Sequence, residues 1–198
     1  KEITIEINPE DISVLKLEQY KELGFNRLSI GVQSMNDKFL KWMNRAHSKN
    51  QITQSIKDCK IVGFNNLSLD FIYGFPSHFN RDYKAELLEL ISLEPSHVSC
   101  YHLTIENGTY FGHLKKKNKF TEIEEEKSEE EFLWISETLK KANFDHYEIS
   151  NFSKKGFNSF HNSTYWKQRP YIGIGPSAHS FSEKKRNMRI NLLNIIKI

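Results

Sequence analysis

The same helix-to-strand junction is written twice in this chain, and that repeat limits the fold more than any other feature. The first copy, GFNRLSIGVQS, runs from Gly24 to Ser34, and the second, GFNNLSLDFIYG, runs from Gly63 to Gly74. Each copy follows a stretch with helical apolar spacing and opens on a glycine, the residue that commonly ends a helix. The repeat therefore predicts a joint that recurs each time one βα unit follows another.

Strands and helices alternate along the first half of the sequence. The strand-like runs are EITIEINP, NRLSIGVQ, NLSLDFIYG and HVSCYHLTI, and the predicted helices between them are EDISVLKLEQYKELG, 50–62 and 81–93. Strands that alternate with helices of roughly 10–15 residues predict a parallel sheet with right-handed crossovers. The expected fold class is therefore α/β.

The predicted strands have one apolar and one polar face. The apolar face would carry Ile3, Ile5, Ile7, Leu28, Ile30, Val32, Leu67, Leu69 and Phe71. The other face would carry Thr4, Glu6, Ser29, Gly31, Gln33, Ser68 and Asp70. A sheet between two helix layers is apolar on both faces, so a small polar face favours a barrel with a polar ligand in its lumen. Glu6, Gln33 and Asp70 lie at or near C-terminal strand ends, where barrel enzymes place their sites.

Composition is that of a globular protein with one sizeable core in 198 residues. No apolar run is long enough to span a bilayer and no signal peptide is evident, which favours a cytoplasmic protein. The net charge of +3 is too small to predict a nucleic-acid partner. Cys59 and Cys100 fit no metal-ligand spacing and are expected to be small buried core residues.

The second half of the sequence is less regular. HLKKKNKF is expected to be a basic turn, and the acidic TEIEEEKSEEEF is expected to begin a helix that buries Phe132, Ile135 and Leu139. The segment that follows is rich in aromatic residues, Gly, Asn and His, and HNSTYW is expected to be a loop within it. We divide the chain into βα units over 1–110 and a helix with this aromatic segment over 111–198. Aromatic side chains in such number either floor the barrel or hold a flat apolar ligand.

Taken together, these motifs resemble a known family. EITIEINP, GVQSMNDKFLKWMNRAH, LSLDFIYGFP and GIGPSAHSF are similar to the radical S-adenosylmethionine (SAM) proteins of the oxygen-independent coproporphyrinogen III oxidase group. HYEISNF followed by HNSTYW is similar to the HemW-type heme chaperones of that group more than to its oxidases. The resemblance implies a partial (β/α)6 radical SAM barrel with SAM in its lumen. Roughly strands 3 to 6 would lie in this chain, and the small C-terminal domain of the family would not.

The resemblance also implies which residues bind SAM. The matching positions, the last two weaker than the others, are Glu6, Gln33, Arg45, Asp70, Thr104 and His179. Carboxylates can bind the ammonium group or ribose hydroxyls of SAM, and an arginine can pair with its carboxylate through two parallel hydrogen bonds. Arg45 has no signal in the strand periodicity, so its assignment comes from the resemblance alone.

A heme ligand is implied by the same resemblance. The heme contacts would be His161, Asn162, Tyr165 and Trp166. Histidine is a common axial ligand of heme iron, and Tyr and Trp offer flat apolar faces to a porphyrin. From the residues alone, a packed loop whose histidine donates to backbone carbonyls is favoured; the resemblance brings the two interpretations to near parity, and both stay open at this point.

The sequence departs from the family at its metal site. Radical SAM proteins hold a [4Fe-4S] cluster on a Cys-x3-Cys-x2-Cys loop, and this sequence has two cysteines and no such loop. Because the chain also begins at Lys1 without a methionine, it reads as a fragment. We therefore expect no cluster ligand in this chain and no cleavage of SAM by the chain alone.

Three functions remain open from the sequence. The first is a heme chaperone with SAM, a [4Fe-4S] cluster and heme as cofactors, which passes heme to acceptor proteins and associates at most transiently with a membrane. The second is an oxygen-independent coproporphyrinogen III oxidase, in which a 5′-deoxyadenosyl radical starts the oxidative decarboxylation of propionates. The third is a degenerate barrel fragment without activity. Whether the chain is part of an enzyme is thus undecided at the level of the sequence.

Overall fold

The computed structural model describes residues 1–117, 120–176, 178–182 and 185–189. The chain forms two compact units, Lys1–Asn158 and Ser159–Ile198. The larger unit contains a six-stranded sheet and the helices that cover it, and the smaller one contains a short helix and a two-stranded ribbon. The division of function between 1–110 and 111–198 remains a prediction.

Parallel strands form most of the six-stranded sheet. The strands are β1 (Thr4–Ile7), β2 (Arg27–Gln33), β3 (Leu67–Tyr73), β4 (His97–His102), β5 (Asp145–His146) and β6 (Asn151–Ser153). Their spatial order is β1-β2-β3-β4-β6-β5, with β1 to β4 parallel and the last two pairings antiparallel. The predicted α/β fold with a parallel sheet is confirmed, and the antiparallel end was not foreseen.

Six α-helices lie in the described part of this unit. They are α1 (Val14–Glu22), α2 (Asp37–Trp42), α3 (Lys49–Val62), α4 (Tyr83–Ser92), α5 (Tyr110–Lys116) and α6 (Glu125–Lys141). The start of HLKKKNKF was wrongly expected to be a turn, since it ends α5. The Thr109 hydroxyl accepts from the Gly112 backbone N–H and so satisfies a free donor at the start of that helix. Among the described residues, no helix is both long and apolar enough to cross a membrane.

The two predicted faces are confirmed for β2 and β3, whereas Ile3 precedes β1 and is 41% exposed, and Ile5 and Ile7 are only partly buried. The face under the helices is fully buried and carries Leu28, Ile30, Val32, Leu67, Leu69, Phe71, Val98, Cys100 and Phe152. The other face is polar and continues across β4 and β6 through His97, Ser99, Asn151 and Ser153. In the register, Ser29 lies opposite Glu6 on one side and Ser68 on the other, and Asp70 lies opposite Ser99. Polar groups of β1, β2, β3, β4 and β6 thus share one face.

The repeated junction has the same backbone geometry in both copies. Gly24 and Gly63 have φ of +90° and +89°, and each follows the last turn of a helix. The left-handed region is open to glycine and strains other residues, so glycine suits both positions. The repeat is therefore a shared way of ending a helix before a buried strand.

The smaller unit corrects one expectation. HNSTYW is helical, because α7 spans Phe160–Trp166, whereas the sequence predicted a loop. The Ser159 hydroxyl accepts from the Asn162 backbone N–H at 3.2 Å, which caps the helix at its start. The ribbon of this unit consists of β7 (His179–Ser182) and β8 (Lys185–Arg189), paired antiparallel.

Candidate functional site

Two of the predicted SAM contacts meet above a glycine on β2. Arg45 Nη2 lies 2.5 Å from Asn8 Oδ1 and 3.4 Å from the carbonyl oxygen of Gly31. A Cβ at Gly31 would lie 3.0 Å from Gln33 Nε2 and 3.2 Å from both Arg45 Nη2 and Asn8 Oδ1. Any larger residue would crowd these three groups, so Gly31 leaves the space in which they converge. Asn8 was missed in the sequence, where Asn8-Pro9 was interpreted only as the end of a strand.

Gln33 has an unusual backbone conformation. Its φ is +65°, and the pairing of β2 with β3 shifts between Ile30 and Gln33. A bulge of this kind re-aims a side chain at the end of a strand. The backbone of Gln33 thus departs from the regular strand, while its side-chain amide still lies beside Gly31.

Glu6 and Asp70 lie on either side of Ser29. Glu6 is opposite Ser29 in the register, and the Ser29 hydroxyl donates to Asp70 Oδ1 at 3.5 Å. Burial raises the pKa of Asp70 to about 6, a hydrogen bond from Ser99 lowers it, and the charge of Glu6 raises it. The structure therefore brings the two carboxylates close enough to influence each other, and a cation placed between them would be favoured.

Four buried side-chain polar atoms in the described part of the chain lack a hydrogen-bond partner, and one of them belongs to Arg45 of this site. They are Thr4 Oγ1, Arg27 Nε, Arg45 Nε and Asn151 Oδ1. Buried polar atoms are nearly always paired with protein, water or ligand atoms. The unpaired Arg45 Nε, the Gln33 amide and the carboxylates of Glu6 and Asp70 fit a ligand that has an ammonium group, a carboxylate and hydroxyls, as SAM has.

A neutral histidine lies on the polar face at the start of β4. His97 is fully buried; its Nδ1 is 2.7 Å from the Ser68 hydroxyl and its Nε2 is 2.8 Å from the Tyr147 hydroxyl. Burial, and then the charge of Arg27, lowers the pKa of His97 to about 3. Sequence reasoning missed His97, and the alternation of HVSC, which puts it on the polar face, was the available signal.

The cysteines do not fit an iron–sulfur cluster. Cys59 and Cys100 are both buried, as predicted, and Cys100 lies on the apolar face of β4. Burial raises the pKa of the Cys59 thiol to about 12 and also raises that of Cys100. Cluster iron binds thiolates, and no group of three or more His, Cys, Asp or Glu side chains in the described ranges could hold a metal ion.

Thr104 lies apart from the other candidate SAM contacts. It follows β4, and its hydroxyl donates to the His102 carbonyl oxygen at 3.4 Å. With Tyr73 and His102 it lines a cavity of about 690 Å³. The other candidate SAM contacts of the larger unit do not line this cavity; they are Glu6, Gln33, Arg45 and Asp70. A direct contact of Thr104 with the same ligand remains a prediction.

The predicted heme residues lie on α7. His161 and Tyr165 are one turn apart, with ring centroids 4.7 Å apart and perpendicular planes. Tyr165 and Trp166 are 44% and 56% exposed, so two aromatic side chains near a histidine remain accessible. Asn162 lies one turn before Trp166, and His179 lies on β7 of the same unit. A histidine beside exposed aromatic rings is a suitable surface for a porphyrin.

Comparison with known proteins gives consistent results in sequence and fold. Residues 1–91 match the Radical SAM superfamily. The chain is 36% identical over 185 residues to "Heme chaperone HemW" of Synechocystis, covering 93% of this chain and 45% of that protein. It is 34% identical over 189 residues to "Heme chaperone HemW" of Bacillus subtilis, covering 96% of this chain and 50% of that protein.

The fold comparison agrees with the sequence comparison. Coproporphyrinogen III oxidase (HemN) from Escherichia coli, described as a radical SAM enzyme, superposes with a TM-score of 0.73 at 20% identity, over 91% of this chain and 44% of that one. At this identity the likeness concerns the fold, which is part of a radical SAM barrel. The chain spans about half the length of the curated relatives it matches.

Proposed function

This chain belongs to the radical SAM superfamily, as a relative of the HemW heme chaperones, and from that premise we propose that it is part of a cytoplasmic heme chaperone. Such a protein would bind heme and pass it to acceptor proteins. The observation that carries the proposal is the similarity, over more than nine-tenths of the chain, to proteins named heme chaperones. The exposed His161, Tyr165 and Trp166 support it, because they offer an iron ligand and flat apolar faces on one short helix.

SAM would bind on the polar face of the sheet. Gln33 and Arg45, which converge above Gly31, would bind its carboxylate, and Glu6 and Asp70 would bind its ammonium group or ribose hydroxyls. Bound SAM supplies a sulfonium cation to this acidic part of the site. The residues present do not fit a [4Fe-4S] cluster, because the two cysteines of the chain are both buried.

A first experiment tests the heme site. The chain is mixed with heme, and the Soret band is recorded for the wild type, for His161→Ala and for the control His113→Ala, an exposed histidine on α5. We expect His161→Ala to shift or remove the band and His113→Ala to leave it unchanged. An identical spectrum for all three proteins would mean that His161 does not bind heme iron and has a purely structural role.

A second experiment tests the SAM site. Equilibrium dialysis with SAM is carried out on the wild type, on Asp70→Ala and on Asp145→Asn, a control carboxylate on the exposed edge strand β5. We expect Asp70→Ala to weaken binding at least about tenfold, since charged hydrogen bonds are worth roughly 1.5–3 kcal/mol. Equal affinities for Asp70→Ala and the wild type would contradict the assignment.

The second candidate function is that of a coproporphyrinogen III oxidase, favoured by the fold likeness to HemN. The two functions differ in what happens to a porphyrin. A chaperone binds heme and leaves coproporphyrinogen III unchanged, whereas the oxidase converts two propionates to vinyl groups, releases two molecules of carbon dioxide and passes two electrons per side chain to an oxidant. An assay of coproporphyrinogen III turnover decides between them. A degenerate fragment would bind neither SAM nor heme.

A further inference from the structure

A buried ion pair joins α4 to the loop that precedes it. Arg81 Nε is 2.7 Å from Glu86 Oε1, and Arg81 Nη2 is 2.8 Å from Glu86 Oε2. The two side chains are only 4% and 6% exposed. Removing such a pair from water costs about as much as the attraction returns, so net stability is a weak explanation for it. The remaining hydrogen bonds of the pair show what else it does.

Both members of the pair are bonded to strand ends. Glu86 Oε2 accepts from the Met35 backbone N–H at 2.9 Å and also from the Ser34 hydroxyl. Arg81 Nη1 donates to the Ile72 carbonyl oxygen at 2.6 Å. Ser34 directly follows Gln33 at the end of β2, and Ile72 is two positions after Asp70 on β3. One ion pair is therefore bonded beside two of the proposed SAM contacts.

The bonds to Ser34 and Met35 lie where the backbone is strained. Gln33 has φ of +65°, and the Ser34 N–H donates to the Val32 carbonyl oxygen at 2.8 Å, so that Gln33 is the central residue of a γ-turn. A γ-turn with positive φ is rare and strained. Such a conformation persists when surrounding contacts hold it. Glu86 supplies two of these contacts immediately after the strained residue.

Aromatic rings fix the arginine in turn. The Arg81 guanidinium carbon lies 4.3 Å from the ring centroid of Phe75, 4.9 Å from that of Phe71 and 5.4 Å from that of Phe39. Arginine stacks favourably on aromatic faces, and these rings also keep water away from the pair. The pair is thus held by packing on one side and by directed hydrogen bonds on the other.

We propose that Arg81 and Glu86 are positioning residues for the SAM site: they hold Gln33 in its left-handed conformation and keep the ends of β2 and β3 in register beside it. The proposal rests on the proposed SAM site but assigns no SAM contact to either residue. The proposal explains why this buried position holds a charged pair, although apolar residues of similar volume are often as stabilising as a buried ion pair.

The first test is a double-mutant cycle on SAM affinity, measured by equilibrium dialysis with the full chain. We expect Glu86→Gln and Ser34→Ala each to weaken binding about five- to tenfold, and the loss to disappear largely in a Gln33→Ala background, because coupled residues are non-additive. Glu89→Gln is the matched control, since Glu89 is on the same helix and pairs with Lys49 at the surface. Losses that simply add to that of Gln33→Ala would overturn the proposal.

The second test does not depend on SAM. The side-chain amide signals of Gln33 are followed by NMR in the wild type, in Glu86→Gln, in Ser34→Ala and in the Glu89→Gln control. We expect the signals to move in the first two variants only, and unchanged signals would overturn the proposal. If they move although the wild type binds no SAM, the positioning role stands and the proposed SAM site fails. Ser34→Ala removes a single hydroxyl, so it remains informative if Glu86→Gln does not fold.

Discussion

At the scale of single residues, the fold opposes the ionisation of Asp70. Burial raises its pKa from 3.8 to about 6, so the folded chain binds a proton more tightly than the unfolded chain does. The stabilisation from this proton is complete below about pH 4 and is lost as the pH rises through about 6. Since one pKa unit corresponds to about 1.4 kcal/mol, the full loss amounts to about 3 kcal/mol, of which about 2 kcal/mol falls between pH 4 and pH 7.

This pH dependence can be measured by substitution. We expect Asp70→Asn to remove about 2 kcal/mol of the decrease in the free energy of unfolding between pH 4 and pH 7, because the amide does not ionise. Urea unfolding at both pH values provides the measurement, with Asp145→Asn as the control. Parallel pH profiles for the wild type and Asp70→Asn would show that the carboxylate ionises without cost to the fold.

Single residues also show how far the sequence reaches. Glu6, Gln33 and Asp70 could be assigned to the polar face from the sequence. Each lies in a strand in which apolar and polar residues alternate clearly. Arg45 became a candidate by resemblance alone because a residue after a short helix follows no strand period. The contacts of Glu86 with Ser34 span 52 positions of sequence, so periodicity could not reveal them. The local sequence pattern predicts on which face of the sheet a residue lies, but contacts between residues far apart in the sequence, which complete the site, leave no such pattern.

At the scale of elements, α3 begins with a capping box that holds the crossover between β2 and β3. The Ser48 hydroxyl accepts from the Gln51 backbone N–H at 3.3 Å, and Gln51 Oε1 accepts from the Ser48 N–H at 2.8 Å. We expect Ser48→Ala to lower the free energy of unfolding by about 1 kcal/mol, the usual cost of losing such a cap. Thermal or urea unfolding measures the change.

The control for the cap lies on the same helix. Lys57 is exposed in the middle of α3, and Lys57→Ala is expected to change stability by less than about 0.5 kcal/mol. An equal effect of the two substitutions would mean that the capping box contributes nothing specific to α3.

Element length explains which parts of the fold could be predicted. β2 and β3 have seven residues each and α3 has fourteen, long enough for their periods to show. β5 and β6 have two and three residues, so no alternation can indicate them. α2 and α7, with six and seven residues, are defined mainly by the side chains that cap them. The antiparallel strands β5 and β6 and the short helices α2 and α7 therefore could not be predicted from the sequence pattern.

At the scale of the whole molecule, the described sheet has an unpaired edge at β1. β1 is bonded to β2 on one side, and the sheet ends there. Open strand edges pair with other chains, so we expect this chain to self-associate as its concentration rises. Light scattering after size-exclusion chromatography measures this, and Ile3→Lys, which adds a charge beside the edge, is expected to reduce it. A monodisperse monomer at every concentration for both proteins contradicts the expectation.

Because β6 pairs antiparallel with β4, the two edges of the sheet differ in whether a further parallel strand could be added. A parallel strand can join the sheet through a right-handed crossover where a parallel neighbour is free, which is the case beside β1. Beyond β4, the short antiparallel strands β6 and β5 already occupy that place. A further parallel βα unit could therefore be grafted beside β1, where its neighbour would be parallel, whereas a strand added at the opposite edge would have to pair with the short strand β5.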